Sequence, residues 1–139
     1  DKIETADLLT MGINHGKAPQ DGTYGWIIVP HASSTQLADL TRKPPFAIVN
    51  RPDRQEVAQS DRSIVGLVFY EAGVSDLVPG MSVNEPCLVM LKKVGDATTA
   101  WVSDPTQKLL KLQLTYGGRT VEVSLPTGEL AGSSVSVKL

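Results

Sequence analysis

The chain has 139 residues, 41% of them apolar and 20% charged, with a formal charge of −2. That length bounds it to one domain or two small sub-domains with room for a real core, and the composition gives no ground for disorder. Lysine and arginine are scattered, which excludes a basic footprint for nucleic acid and leaves no positive cleft for an acidic polysaccharide; a single cysteine, Cys87, excludes an intrachain disulfide.

The chain opens on Asp1 with strand-like sequence almost at once, so it is expected to be a piece of a longer protein with any targeting segment out of view. In "TADLLTMGINH" the residues Leu9, Met11, Ile13 and His15 share one strand face. A loop from Gly16 to Gly22 follows, with Pro19 and Asp21-Gly22 as turn residues. "TYGWIIVP" reads as a second strand, with Tyr24, Trp26 and Ile28 on one face and Ile27 and Val29 on the other; apolar residues on both faces predict burial on both sides. Ser33 with Gln36 three residues on is a capping-box pattern, Leu37 and Leu40 share a helical face, and Pro44-Pro45 stops the helix. This short connecting helix is the one helix expected.

Strands resume after it. "FAIVN" and "RQEVAQS" flank a turn at residues 51–53, and "SIVGLVFYEAG" is a near-continuous apolar run that reads as a core strand. "MSVNEP", "CLVMLKKV" and "TTAWVSD" follow, the last two joined at Gly95-Asp96. In "LLKLQLTYGGRTVEVSL", Gly117-Gly118 supplies the positive φ of a two-residue hairpin turn. Counting outward pairs Leu114 with Val121, Leu112 with Val123 and Leu110 with Leu125 on one face. Lys111, Gln113 and Thr115 meet Ser124, Glu122 and Thr120 on the other. A one-residue slip would destroy that match. "SSVSVKL" is a last strand. The fold class is all-β, an antiparallel β-sandwich with one short connecting helix.

No residue set in the chain spells a self-contained active site. His15 near Tyr24 has the chemistry for proton transfer, but a single His without a fixed partner is better read as ending its strand face and hydrogen-bonding into the loop after it. Tyr24, Trp26 and Trp101 would stack on sugar rings if exposed, and are core if buried; the core reading is preferred, with more room for exposure at Trp101 because of its mixed neighbours. His15, His31 and Cys87 have no metal-ligand spacing. Asp61, Asp76, Asp96 and Asp104 suit turns, one of which is also compatible with a surface calcium ion. Ser33-Ser34 is a helix cap rather than a nucleophile, and Cys87 is a small buried hydrophobe rather than a reactive thiol. No apolar run approaches the ~20 residues of a membrane span.

Two stretches carry a resemblance. "NHGKAPQDGTYGWIIVPHAS" resembles a hairpin near the end of the large β-domain of family 8 polysaccharide lyases, the chondroitin, hyaluronan and xanthan lyases. "WVSDPTQ" is similar to the Ser-Asp-Pro-Thr signature of their C-terminal β-domain, and the order of the segments between also fits. Chondroitin sulfate lyases, including the broad-specificity ABC type, look nearest. The resemblance implies a secreted or periplasmic bacterial parent enzyme with an N-terminal helical toroid, a β-supersandwich and a C-terminal β-sandwich. Such enzymes cleave uronic-acid-containing polysaccharide by β-elimination: a base removes the C5 proton and an acid protonates the leaving oxygen. Their His, Tyr, Arg and Glu or Asn catalytic side chains belong to regions this chain does not contain. No catalytic residue maps onto it, and His15 does not match the catalytic His.

Residues 1–43 then correspond to the end of the supersandwich and residues 44–139 to the C-terminal sandwich. The partners implied are the rest of the parent chain and, for the parent, an acidic polysaccharide, with neither nucleic acid nor a membrane span. No cofactor is implied; a divalent cation in the parent is compatible but has no place here. The piece itself is expected to be structural. If residues 1–32 normally pair with strands outside it, they should fold onto the C-terminal sandwich or pair between molecules. A carbohydrate-binding module using Trp26 and Trp101 is the alternative, and an architectural Ig-like domain is a third reading.

Overall fold

The computed structural model describes residues 12–20, 22 and 24–139. Helix α1, Ser34–Arg42, starts at the predicted cap. The Ser33 hydroxyl accepts the Gln36 N–H at 3.2 Å, and the Gln36 side-chain oxygen accepts the Ser33 N–H at 2.8 Å. Both halves of the capping box are therefore closed. Lys43 caps the C-terminus, and Pro44-Pro45, lacking N–H donors, ends the helix. Replacing Ser33 by Ala should cost about 1 kcal/mol of local helix stability. Hydrogen exchange would read this as lost protection at the Gln36 amide with the sheets unaffected, and unchanged protection would deny the cap any role.

Two antiparallel sheets follow. Strands β1 (Phe46–Asn50), β2 (Arg54–Gln59), β3 (Ile64–Phe69), β6 (Cys87–Val94), β7 (Ala97–Ser103) and β10 (Val135–Lys138) form a six-stranded sheet in that order. Strands β4 (Gly73–Val74), β5 (Ser82–Val83), β8 (Lys111–Tyr116) and β9 (Arg119–Ser124) form a four-stranded sheet in that order. Val65, Leu67, Val89, Leu91, Ala100 and Val102 of the first sheet meet Val83, Leu112, Leu114 and Val123 of the second, with Met81 from the loop before β5, in one buried layer. The described residues thus form an antiparallel sandwich with one short α-helix, as the sequence predicts.

The β8–β9 hairpin has the predicted register throughout: Leu114 opposite Val121, Leu112 opposite Val123, Gln113 opposite Glu122 and Thr115 opposite Thr120. Gly117 and Gly118, at φ 57° and 82°, make the turn with both central residues left-handed. The Leu125 N–H donates to the Leu110 carbonyl at 2.8 Å, continuing the pairing one step further.

Other expectations need correction. The strand predicted over residues 23–30 is not formed: the described part pairs with neither sheet, and Tyr24 and Trp26 are 68% and 63% exposed. Ile27, Ile28 and Val29 are exposed too. An apolar strand is buried only when layers cover it, and among the described residues no layer does. The segment lies beside α1 instead, where Trp26, Ile27 and Val29 with Leu37, Leu40 and Ile48 wall an open depression of about 360 Å³. Leu9, Met11 and Asp21 lie outside the described residues; Ile13 and His15, from the same predicted strand and loop, are exposed and not in a strand. Strand β3 is a core strand as expected: Val65, Leu67 and Phe69 point inward into the buried layer, while Ile64 is exposed on the uncovered side of the sheet.

One charged residue is built into the layer between the sheets. Glu56 of β2 is 1% exposed. Its Oε1 accepts from Arg54 Nε at 3.0 Å and the Asp76 N–H at 2.9 Å, while its Oε2 accepts from Ser75 Oγ and the Leu77 N–H, both at 2.8 Å. The Ser75 hydroxyl in turn accepts the Val78 N–H at 2.9 Å. A carboxylate on one sheet therefore holds the loop that follows β4 of the other. Arg54 also reaches Asp53 at 2.6 Å and Asp76 at 2.8 Å, so the buried charge is paired and its acceptor sites are filled.

Candidate functional site

The residues singled out for chemistry do not converge. His15 is exposed, with its ring 5.9 Å from that of Tyr24 and tilted by 51°. Among the described residues the hydrogen bond into the following loop is made by its neighbour: the Gly16 N–H donates to Asn14 Oδ1 at 2.8 Å. The shorter amide side chain closes this two-residue ring more readily than an imidazole does. His31 sits exposed in a turn at φ 58°. Cys87 is buried between the sheets, and burial, followed by the Asp104 charge, pushes its thiol up to about 12. Such a thiol stays protonated and does not act as a nucleophile near neutral pH. Among the described residues no group of three His, Cys, Asp or Glu stands close enough to hold a metal ion.

Three of the turn aspartates, Asp61, Asp76 and Asp104, do structural work. Asp61 accepts the Ser63 N–H at 2.9 Å and its hydroxyl at 2.8 Å, bonds that hold its carboxyl below the usual range. Asp104, in the "SDPTQ" stretch, is the most fully engaged. It is 2% exposed. Its Oδ1 accepts from the Thr106 N–H at 2.8 Å and Oγ1 at 2.7 Å, and its Oδ2 accepts from the Lys108 and Leu109 N–H groups at 2.8 Å each. Burial alone would raise its pKa; the hydrogen bonds outweigh burial and bring it down to about 2. The motif is thus a carboxylate folded into the backbone of the β7–β8 connection.

Trp101 has a different setting. It is half-buried, on the side of β7 opposite Ala100 and Val102, and so faces outward from the six-stranded sheet. The strand registers place Ile48, Val57, Gly66, Met90, Trp101 and Ser136 in one row across that face. Val68, Leu88 and Ser103 occupy the next row. A Cβ on Gly66 would meet nothing within 4 Å, so the row has a dent at its middle. Around it opens a shallow depression of about 460 Å³ lined by Val57, Val68, Leu88, Met90, Trp101 and Gln55, among others. The core assignment of Trp101 is corrected to this half-covered position. The signal was present in its mixed neighbours, since Thr99, Trp101 and Ser103 alternate with Thr98, Ala100 and Val102.

By architecture this is a two-sheet antiparallel module with an aromatic on an open sheet face. Residues 48–113 match the family described as "Polysaccharide lyase family 8, C-terminal beta-sandwich domain". The chain is 27% identical to chondroitinase-AC of Pedobacter heparinus over 96% of its own length and 20% of that enzyme's. It is 30% identical to the chondroitin sulfate ABC exolyase of Bacteroides thetaiotaomicron over 66% of its own length and 9% of that protein's. Among solved structures, a chondroitinase AC lyase studied as oligosaccharide complexes superposes with a TM-score of 0.65 at 25% identity, over 76% of this chain and 17% of that one. The chain carries a C-terminal β-sandwich domain of polysaccharide lyase family 8. It spans no more than a fifth of the length of the curated relatives named.

Proposed function

We propose that this chain is the C-terminal region of a secreted or periplasmic bacterial lyase. The parent would cleave a chondroitin-type glycosaminoglycan by β-elimination, and this region would support it without catalytic residues of its own. The observation that carries the reading is the family match over residues 48–113 in a chain with no converging acid–base pair among its described residues. Residues 44–139 form the C-terminal domain in this reading, and residues 1–43 close the preceding one. The exposed apolar run Tyr24 to Val29 suits a strand whose neighbours belong to the rest of the parent chain. No cofactor is assigned to this region.

The chain alone, incubated with chondroitin sulfate and followed by absorbance of the unsaturated product, should show no turnover. Turnover that disappears in His15→Ala would sink the reading, because it would place the chemistry here. A second reading, glycan contact by this module, is favoured by one observation: Trp26 and Trp101 are both accessible, each beside a depression of its own.

A further inference from the structure

We propose that the outer face of the six-stranded sheet is a non-catalytic site for an acidic glycan, with Trp101 as the stacking platform and Lys92 and Lys138 as the groups that hold its anions. This deepens the second reading above and rests on it. The sequence scatters its basic residues, but the fold gathers these. Lys92 of β6, Thr99 of β7 and Lys138 of β10 fall in one row, so Thr99 lies between the two lysines. Two strand spacings separate their Cα atoms, about 10 Å. Trp101 is two residues along β7 from Thr99 on the same face, a step of about 7 Å. The three side chains therefore stand at the corners of a small triangle on the open sheet.

Charge decides what fits there. Both lysines are exposed, and neither forms an ion pair among the described residues. The one strand carboxylate of this sheet, Glu56, points inward and is fully engaged. The outward strand residues thus carry lysines and no acid, on a chain whose formal charge is −2. Beside Trp101 the apolar floor of Val57, Val68 and Met90 is bordered by Gln55, Ser103 and Ser134, which can exchange hydrogen bonds with hydroxyl groups. An aromatic platform with polar groups around it and unpaired cations at one side suits a sugar ring bearing carboxylate or sulfate. Exposed charge contacts are weak and screened by salt, so a dissociation constant on the order of 1 mM is expected, rising severalfold with added salt.

The test is an amide and indole NMR titration of the intact chain with a chondroitin sulfate hexasaccharide and with an uncharged, carboxyl-reduced and desulfated counterpart. The charged sugar should shift the Trp101 indole N–H and the amides around Thr99, Lys92 and Lys138. The uncharged one should bind at least several-fold more weakly. Lys92→Ala with Lys138→Ala should erase that preference, and Trp101→Ala should abolish binding while Trp101→Phe retains part of it. Unchanged dispersion in the lysine variants confirms that they fold. Shifts confined to Trp26 would overturn the site and leave the second reading standing; no shift with either sugar at 10 mM (about ten times the expected constant) would overturn both. Equal binding of the two sugars would remove the lysines' role. Concentration-dependent broadening of the same residues without sugar would assign the face to a second copy of the chain and overturn the proposal.

Discussion

Replacing Glu56 by Ala should destabilise the sandwich by about 3 kcal/mol or more, since each buried donor left without an acceptor costs about 1–3 kcal/mol. The variant would leave the Arg54 guanidinium, the Ser75 hydroxyl and the Asp76 and Leu77 N–H groups without the acceptor that now serves all of them. Two of those donors are backbone groups of the loop between β4 and β5, and that loop ends at Met81, which is fully buried. Losing the carboxylate should therefore loosen the small sheet more than the large one. Glu56→Gln is the sharper variant. It keeps the volume but presents an amide N–H₂ to a donor, so part of the loss should persist without any cavity. Urea denaturation of both variants would measure this. A loss under 1 kcal/mol for Glu56→Ala would show that the network is replaceable by water.

For Asp104→Ala a loss of roughly 3 kcal/mol is expected, since one side chain accepts four hydrogen bonds out of reach of solvent. Asp104→Asn should retain part of this, because its remaining carbonyl oxygen still accepts while its amide opposes two N–H groups. The same site sets a pH dependence. The folded pKa of about 2 lies below the ordinary aspartate value of about 3.9, so the folded state favours the ionised carboxylate. Its contribution is present in full above the unfolded value and is lost as pH falls from about 4 through about 2. Melting temperatures of the wild type and Asp104→Asn should therefore differ near neutrality and approach one another toward pH 2. A gap that stayed constant over that range would deny the carboxylate its ionised, hydrogen-bonded role.

What the amino-acid order determined by itself was everything local. The capping box at Ser33 and Gln36 and the hairpin at Gly117-Gly118 depend on groups a few residues apart. Alternation of Leu112 and Leu114 against Val121 and Val123 excludes other registers. The Ser-Asp-Pro-Thr signature was visible as a family resemblance, and its carboxylate serves residues two to five positions downstream.

Tertiary structure decided which apolar residues would find cover. Tyr24, Trp26 and Ile28 have the alternation of a buried strand, but alternation records only a demand for burial, and no described residue layer meets it. Strand β2 shows the converse: Val57 faces out and Glu56 faces in, against what their polarity alone would predict, because Ser75, Asp76 and Leu77 arrive from the other sheet with donors for the carboxylate. Lys92 and Lys138 are 46 positions apart in the chain and become row-mates only through β7 between them. Short-range patterns fix dihedral angles and faces; which faces meet is set by contacts between distant segments, and those leave no period in the sequence to read.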